Sequence, residues 1–325
     1  MPLAVRIHEP GGPNALRCDQ VPLPEPGPGE VLVRHVAIGV NFIDTYHRTG
    51  LYPLPSLPHA LGVEAVGVVE VLGRGVEGFL PGDRVAYAGG VPGAYAEYRT
   101  VAAERLVHVP EGIDDARAAA VLLRGMTVEY LVQRCVRIEP GMPVLVHAAA
   151  GGVGLLLCQW LAHLGAEVIG TVGNEAKARI ALANGCTHVI VYTRDDFVAK
   201  VRALTGGQGV PVAFDSVGKA TVRGSLCSLT RRGTLVCFGN ASGKPDPIDV
   251  LDLGHYGSVY VTRPRLADYI GTRPELLASA QAVFSAVRAG WLIPHIGAVY
   301  PLTEAAEAHR ALEARGITGS TVMLV

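Results

Sequence analysis

The second half of the chain alternates between apolar runs of strand length and runs with helical periodicity. The apolar runs begin, at intervals of 21 to 24 residues, at Pro143, Glu167, His188, Pro211, Thr234 and Ser258. The helical patterns between them span Val153–Leu164, Asn174–Asn184, Asp195–Leu204 and Lys219–Leu229. Continuously apolar strands that alternate with helices are typical of a parallel sheet covered on both faces. Because such crossovers are right-handed, we predict an α/β fold with a doubly wound, six-stranded parallel sheet.

The turn after the first of these strands has the composition of a dinucleotide site. Glycines at such a turn let the backbone approach a pyrophosphate, and the N–H groups that begin the next helix point towards it. The first glycine of the usual G-x-G-x-x-G pattern is replaced by Ala149, so the motif alone leaves close strand–helix packing as an alternative. The predicted cofactor contacts in this turn are Ala150, Gly151, Gly152, Val153 and Gly154.

The other strands of the repeat also end in residues that suit ligand contact. Ligands of open parallel sheets bind beyond the carboxyl ends of the strands, so these turns are expected to meet at one cofactor. The predicted contacts at these strand ends are Gly173, Tyr192, Ser216, Phe238, Gly239 and Asn240.

The first 123 residues follow a different pattern. Short strands at Val31–Val40, Ala65–Leu72 and Arg84–Ala88 are separated by segments rich in Gly and Pro, which is typical of a small β-barrel or sandwich. A helical stretch, Asp114–Arg137, is expected to connect this domain to the nucleotide-binding domain.

The alternation of strands and helices ends after Thr262. Two helical runs, Pro274–Ala289 and Thr303–Ala314, and a last strand, Ser320–Val325, are expected to fold back onto the first domain. The predicted domains are therefore a β-rich domain of residues 1–123, completed by 263–325, and an inserted cofactor domain of residues 124–262. We expect the active site in a cleft between them.

Composition narrows the class of protein. The length of 325 residues suits two domains, and a net charge of −1 without basic clusters gives no support for nucleic acid or anionic membranes as partners. The N-terminus lacks the apolar region of a signal peptide, and the six cysteines are never closer than ten residues. We therefore expect a cytoplasmic protein with no membrane partner, no metal, and reduced, buried thiols.

Eight motifs in order along the whole chain carry a family resemblance. They are Gly39–Tyr46, Arg48–Pro53, Leu61–Gly67, Gly82–Val85, His147–Gly154, Phe214–Gly218, Phe238–Gly243 and Tyr260–Pro264. The chain resembles the zinc-free medium-chain dehydrogenases/reductases of the quinone oxidoreductase (zeta-crystallin-like) branch. This resemblance implies a GroES-like catalytic domain and a Rossmann domain, usually in a homodimer. It also implies cofactor contacts at Thr127, beside the nicotinamide, and at Arg263.

The zinc-dependent relatives place a cysteine near position 41 and a histidine in a Gly-His-Glu motif. This sequence has Asn41 at the first place and Val63 at the second, followed by Glu64. Alcohol oxidation through a zinc-bound alkoxide is therefore not expected. We expect Glu64 to be a buried carboxylate that is paired within the barrel rather than a catalytic group.

The end of the second strand of the repeat indicates which nicotinamide cofactor binds. An NAD site places Asp or Glu here to accept from the ribose 2′-OH, whereas this chain has Gly173, which leaves space for a 2′-phosphate. Lys177 and Tyr192 supply an ammonium and a hydroxyl nearby. We predict NADPH. Glu175 leaves an alternative open, because it is either a displaced NAD-type acid or a helix-start residue capped by Asn174.

The chain has no obvious nucleophile or Lewis acid, so hydride transfer from the reduced nicotinamide is the expected chemistry. Such a site needs an electron-poor acceptor, as quinones and α,β-unsaturated carbonyls are. We predict Asn41, Tyr46 and Tyr52 as catalytic residues, and Asn41, Asp44 and Tyr46 also as cofactor contacts. A tyrosine hydroxyl is suited to bond or protonate a developing oxyanion, although both tyrosines are also explained as aromatic walls or core.

Three functions remain possible from the sequence. The first is an NADPH:quinone oxidoreductase. The second is an NADPH-dependent enone or alkenal reductase with the same cofactor site. The third is a crystallin-like or RNA-binding protein without activity, against which the near-neutral charge and the intact hydride-transfer site both argue.

Overall fold

The computed structural model describes the whole chain, Met1–Val325, which divides into two compact units. Unit 1 comprises Met1–Met126, Tyr269–Gly290 and Pro294–Val325, and unit 2 comprises Thr127–Asp268 and Trp291–Ile293. After Asp268 the chain thus returns to the first unit, apart from Trp291–Ile293.

Strands and helices account for most of both units. The strands are β1 (Leu3–Ile7), β2 (Leu16–Gln20), β3 (Glu30–Val40), β4 (His59–Ala60), β5 (Glu64–Leu72), β6 (Arg84–Ala88), β7 (Tyr98–Ala102), β8 (Val107–His108), β9 (Pro143–Val146), β10 (Glu167–Val172), β11 (His188–Val191), β12 (Val210–Asp215), β13 (Leu229–Cys237), β14 (Tyr260–Thr262), β15 (Ile296–Pro301) and β16 (Ser320–Leu324). The α-helices are α1 (Phe42–Arg48), α2 (Asp115–Tyr130), α3 (Gly152–His163), α4 (Glu175–Ala183), α5 (Phe197–Leu204), α6 (Val222–Ser228), α7 (Val250–His255), α8 (Arg273–Arg288) and α9 (Ala305–Glu313).

Unit 2 contains the predicted parallel sheet, with six strands in the order β11-β10-β9-β12-β13-β14. All neighbouring pairs in it are parallel. The central strand β9 is apolar and fully buried at the consecutive residues Val144, Leu145 and Val146, as is typical of a parallel sheet covered on both faces. The prediction of a doubly wound sheet is confirmed.

Three helices of unit 2, α4, α5 and α7, begin where a side chain accepts from backbone N–H groups. Helix α5 begins at Phe197 because the Asp196 carboxylate accepts from the N–H groups of Val198 and Ala199. Helix α6 begins at Val222, three residues later than the sequence pattern indicates. The Asp215 carboxylate organises a turn ahead of it, in which Gly218 has a positive φ of 89°.

Unit 1 is built around a β-rich core, as the turn-rich sequence predicts. Its main sheet has the order β15-β16-β3-β5-β6-β8, with β7 also paired to β3, and a smaller sheet has the order β2-β1-β4. The C-terminal strand β16 runs antiparallel to β3, with Thr321 opposite Val40. The tail of the chain therefore folds back onto the first strands, as expected. The predicted connecting helix is α-helical only to Tyr130, and a π-helical turn continues it to Cys135.

The cysteines correct one expectation. All six thiols are free, but Cys18 and Cys227 are exposed, so the prediction of buried thiols throughout is wrong. Cys18 lies on β2, an outer strand of the small sheet, on which Arg17 and Gln20 are exposed as well.

The longest helices, α2 and α8, each have 16 residues, and no helix is both long and apolar enough to cross a bilayer.

Candidate active site

The glycine turn of unit 2 joins β9 to the start of α3. Ala148 takes a positive φ of 52°, and its carbonyl accepts from the Gly151 N–H at 2.9 Å. Helix α3 begins at Gly152, with neither a side-chain cap nor an acidic residue in its first turn. The N-terminus of this helix is therefore suited to a phosphate.

The last glycine of the turn is required by close packing. A Cβ at Gly154 would lie 2.1 Å from the Ala148 carbonyl oxygen, which is far inside van der Waals contact. The interpretation of the motif as close strand–helix packing is therefore confirmed. Its interpretation as a dinucleotide site stays a prediction, which the uncapped N-terminus of α3 favours.

Gly173 and Tyr192 come together at the ends of β10 and β11. A Cβ at Gly173 would lie 3.0 Å from the Tyr192 hydroxyl oxygen, and the Thr193 hydroxyl donates to the Gly173 carbonyl at 3.0 Å. Half-buried Lys177 lies in the first turn of α4, where its N–H is capped by the Asn174 side chain at 2.9 Å. The three residues that we assigned to the 2′-phosphate thus lie on adjacent segments of unit 2.

Glu175 is engaged by a residue that the sequence reasoning missed. The Arg194 guanidinium donates to Glu175 at 2.6 Å and also pairs with Asp195 at 3.0 Å. This exposed pair adds little stability, but it occupies the carboxylate that an NAD-type site would need. The only feature of the sequence that points to this contact is the position of Arg194, two residues after Tyr192.

The predicted contacts after β12 and β13 also lie against each other. A Cβ at Gly239 would lie 2.5 Å from the Ser216 carbonyl oxygen, and the Phe238 N–H donates to the Asp215 carbonyl at 2.9 Å. Asn240 follows in the same loop. The edge strand β14 ends one residue before Arg263, which is exposed.

Unit 1 holds a buried cluster around Glu64. The Asn41 amide donates to the Glu64 carboxylate at 2.9 Å, the Leu123 N–H donates to it at 2.6 Å, and Arg124 lies 3.6 Å from it. Arg124 also donates to the Val40 carbonyl. Glu64 is therefore a buried, paired carboxylate, as we expected.

Asp44 is fully buried beside this cluster. Its carboxylate accepts from the Tyr95 hydroxyl at 2.9 Å and from the Asn41 N–H at 2.8 Å, and burial raises its pKa to about 7. This placement does not support the predicted direct contact between Asp44 and a cofactor, because its surface is enclosed within unit 1. The carboxylate instead holds the backbone of Asn41 at the start of α1.

A chain of hydrogen bonds continues from Asp44 to the C-terminal helix α9. Tyr95 contacts His309 at 2.9 Å, His309 contacts Arg48 at 2.9 Å, and Arg48 pairs with Glu313 at 2.7 Å. Burial and the nearby Arg48 guanidinium lower the pKa of His309 to about 3. The neutral ring accepts from Arg48 and links α1 to α9.

Tyr46 and Tyr52 form an edge-to-face pair. Their ring centroids lie 5.3 Å apart at an interplanar angle of 71°, and the Tyr52 N–H donates to the Tyr46 carbonyl at 3.0 Å. Both residues are half-buried, so each leaves part of its surface for a ligand. Thr127, by contrast, is buried on α2.

The residues at the places of the zinc ligands do not fit a catalytic zinc. Glu64 is committed to Asn41, Leu123 and Arg124, and no group of three His, Cys, Asp or Glu side chains in the chain could hold a metal ion.

The fold and the glycine turn of unit 2 define a medium-chain dehydrogenase/reductase. Residues 27–111 match the alcohol dehydrogenase GroES-like domain, and residues 152–280 match the zinc-binding dehydrogenase family.

Similar proteins of known name narrow the family to which the chain belongs. A quinone oxidoreductase from Pseudomonas aeruginosa is 48% identical over 97% of each chain, and a 2-haloacrylate reductase from a Burkholderia species is 45% identical over 100% of this chain and 99% of its own. A crystal structure of the Escherichia coli quinone oxidoreductase complexed with NADPH matches with a TM-score of 0.97 and 43% identity, over 99% of this chain and 100% of that one. The chain belongs to the quinone oxidoreductase family of medium-chain dehydrogenases/reductases.

Proposed function

We propose that this protein is an NADPH-dependent quinone reductase that works without a metal ion. The observation that carries the proposal is the approach of Gly173 and the Tyr192 hydroxyl at the ends of β10 and β11. Lys177 lies in the first turn of the following helix α4, and the N-terminus of α3 has no side-chain cap. The relatives named quinone oxidoreductase, one of them solved as an NADPH complex, support it.

The choice of NADPH follows from charge and space. No carboxylate stands at Gly173 to accept from a ribose 2′-OH, and Glu175 is paired with Arg194. Lys177 and Tyr192 donate to a 2′-phosphate in this proposal, and each bond to that charged group is worth about 1.5–3 kcal/mol.

Asn41, Tyr46 and Tyr52 are the proposed substrate-side residues. Bound NADPH supplies the hydride. The Asn41 side-chain amide donates to Glu64 and to the Gly39 carbonyl, so it keeps one orientation, while Asp44 accepts from the Asn41 backbone N–H. A Tyr46 hydroxyl is suited to stabilise the oxyanion that forms on a quinone, while the edge-to-face pair also suits a wall against a flat ring. The location of the site in a cleft between the domains stays a prediction.

A second candidate function is the reduction of an activated carbon–carbon double bond. The 2-haloacrylate reductase at 45% identity favours it, because its name specifies an α,β-unsaturated acid as substrate. The cofactor site is the same in both candidates, so only the acceptor distinguishes them.

The test is NADPH oxidation by the purified full chain against a panel of quinones, enones and 2-haloacrylate. We expect the highest kcat/KM with a quinone. Higher kcat/KM with an enone or 2-haloacrylate would favour the second candidate. NADPH binding without turnover of any acceptor would contradict both and favour a binding protein.

Lys177→Ala tests the cofactor site itself. We expect the Kd for NADPH to rise by about 10- to 100-fold while that for NADH stays the same. Arg179→Ala is the matched control, because Arg179 is an exposed cation on the same helix. Equal effects of the two variants would contradict the assignment of Lys177.

We also propose that the protein is a homodimer. Strand β14 is the outer strand of the sheet in unit 2, and Tyr260 on it is exposed, as are Val250 and Leu251 on α7. Size-exclusion chromatography with light scattering is expected to give twice the chain mass for the wild-type protein. The Tyr260→Lys variant is expected to give a lower mass. A monomeric wild-type protein would contradict this part of the proposal.

A further inference from the structure

A line of buried polar side chains crosses unit 2 directly beneath the predicted cofactor turns. The His147 ring lies 2.8 Å from the Thr171 hydroxyl through Nδ1 and 3.0 Å from the Ser225 hydroxyl through Nε2. The Ser225 hydroxyl lies 2.8 Å from the Asp215 carboxylate. All four side chains are buried, so these bonds have no competition from bulk water.

The positions of its members connect this line to the cofactor site. His147 follows β9 and precedes the glycine turn, Thr171 lies on β10 two residues before Gly173, and Asp215 ends β12. The line therefore joins the carboxyl ends of three adjacent strands. The residues that follow each end are the ones that we predict to contact the cofactor.

Asp215 also shapes the third of these turns. Its other carboxylate oxygen accepts from the N–H groups of Val217 and Gly218, each at 2.9 Å, and from the Thr221 hydroxyl at 2.8 Å. The position of Ser216 is thus fixed by the same carboxylate that terminates the line.

The number of protons sets the direction of every bond in the line. The Ser225 hydroxyl has one proton and two neighbours that only accept, the Asp215 carboxylate and the Thr221 carbonyl. His147 must therefore donate to Ser225 from Nε2. Burial lowers the pKa of His147, so its ring is neutral and Nδ1 accepts from the Thr171 hydroxyl.

We propose that His147 is a positioning residue for NADPH, which holds the three strand ends of the cofactor site in register through Thr171, Ser225 and Asp215. This inference rests on the proposed function. A cofactor that contacts several turns at once binds best when the turns are already in place, because less order must be gained on binding. The line of buried side chains fixes the positions of the turns before the cofactor binds, and it does so without contact with the cofactor itself.

Two serines on α6 provide a matched test. Ser225 and Ser228 are both fully buried. The Ser225 hydroxyl lies 3.0 Å from the carbonyl oxygen four residues earlier, and the Ser228 hydroxyl lies 2.8 Å from its own equivalent. Only Ser225 also joins His147 to Asp215. Ser225→Ala is expected to raise the Kd for NADPH about 5- to 10-fold by calorimetry. Ser228→Ala is expected to change it less than about twofold, although both variants lower the melting temperature.

A second pair keeps the proposal testable if Ser225→Ala does not fold. Thr171→Val removes the hydroxyl with little change of shape, whereas Thr171→Ser retains it. We expect weaker NADPH binding for the valine variant and recovery for the serine variant. In ¹⁵N spectra, His147, assigned by the loss of its signals in His147→Gln, is expected to be neutral with its proton on Nε2.

The outcomes separate the two proposals. A wild-type chain that does not bind NADPH would contradict the proposed function. A wild-type chain that binds NADPH, with equal affinity in Ser225→Ala and Ser228→Ala or in both Thr171 variants, would overturn only the role of His147. A proton on Nδ1 rather than Nε2 of His147 would also overturn it.

Discussion

Replacing Glu64 with alanine tests the buried cluster that holds Asn41 in unit 1. The substitution leaves the Arg124 guanidinium without its carboxylate and removes the acceptor of the Asn41 amide and the Leu123 N–H. Removal of one partner from a buried ion pair costs about 3–5 kcal/mol, because the remaining charge has no water to replace it. We expect a loss of this size in the free energy of unfolding.

Glu70, on the same strand β5, is the matched control. It pairs with Arg34 at 2.6 Å, but both side chains are more than one-third exposed, so Glu70→Ala is expected to cost less than about 1 kcal/mol. Glu64→Gln separates charge from volume, since it keeps the size of the side chain.

The assay is guanidinium unfolding followed by circular dichroism, with hydrogen exchange of β3 and β5 to localise the loss to unit 1. Trp160 and Trp291, the two tryptophans of the chain, both lie in unit 2, so tryptophan fluorescence follows the other unit separately. If Glu64→Ala cost no more than Glu70→Ala, the reasoning about the buried cluster would be refuted.

Two further predictions concern a buried acid and a packed glycine. Asp44 keeps its proton in the folded protein up to pH about 7 but not in the unfolded chain, so its contribution to stability falls as the pH rises from about 4 to about 7. The unfolding free energies of wild type and Asp44→Asn should therefore diverge by several kcal/mol, on the order of 4, across that range, and a constant difference would contradict the buried acid. Gly154→Ala places a Cβ 2.1 Å from a backbone oxygen and is expected to cost about 1–3 kcal/mol or more in thermal or denaturant unfolding. Gly254→Ala meets no atom within 4 Å, and is expected to be neutral or stabilising; equal losses in the two variants would argue against the tight turn.

The order of strands and helices in unit 2 is predictable from the sequence, because each buried parallel strand is a continuous apolar run, such as Pro143–Val146. A helix boundary that depends on a side chain distant in sequence leaves no such local pattern. The start of α6 is one example, because it follows from the turn around Asp215 rather than from helical periodicity.

The candidate site divides in the same manner. Gly173 and Tyr192 could be paired from the sequence, because each ends a strand of a regular repeat. The bond between Asn41 and Glu64 joins residues on different elements of unit 1, and no periodicity relates them. The pairing of Glu175 with Arg194 also depends on how α4 and the segment after β11 are placed, so the sequence left the role of Glu175 open.

The most direct test of the account is the comparison of NADPH with NADH as electron donor to a quinone, on full-length protein whose metal content has been measured. We predict quinone-dependent oxidation by metal-free protein, with kcat/KM for NADPH at least about tenfold above that for NADH, and loss of this preference in Lys177→Ala. A preference for NADH, or activity that requires a bound metal ion, would contradict NADPH-dependent quinone reduction without a metal.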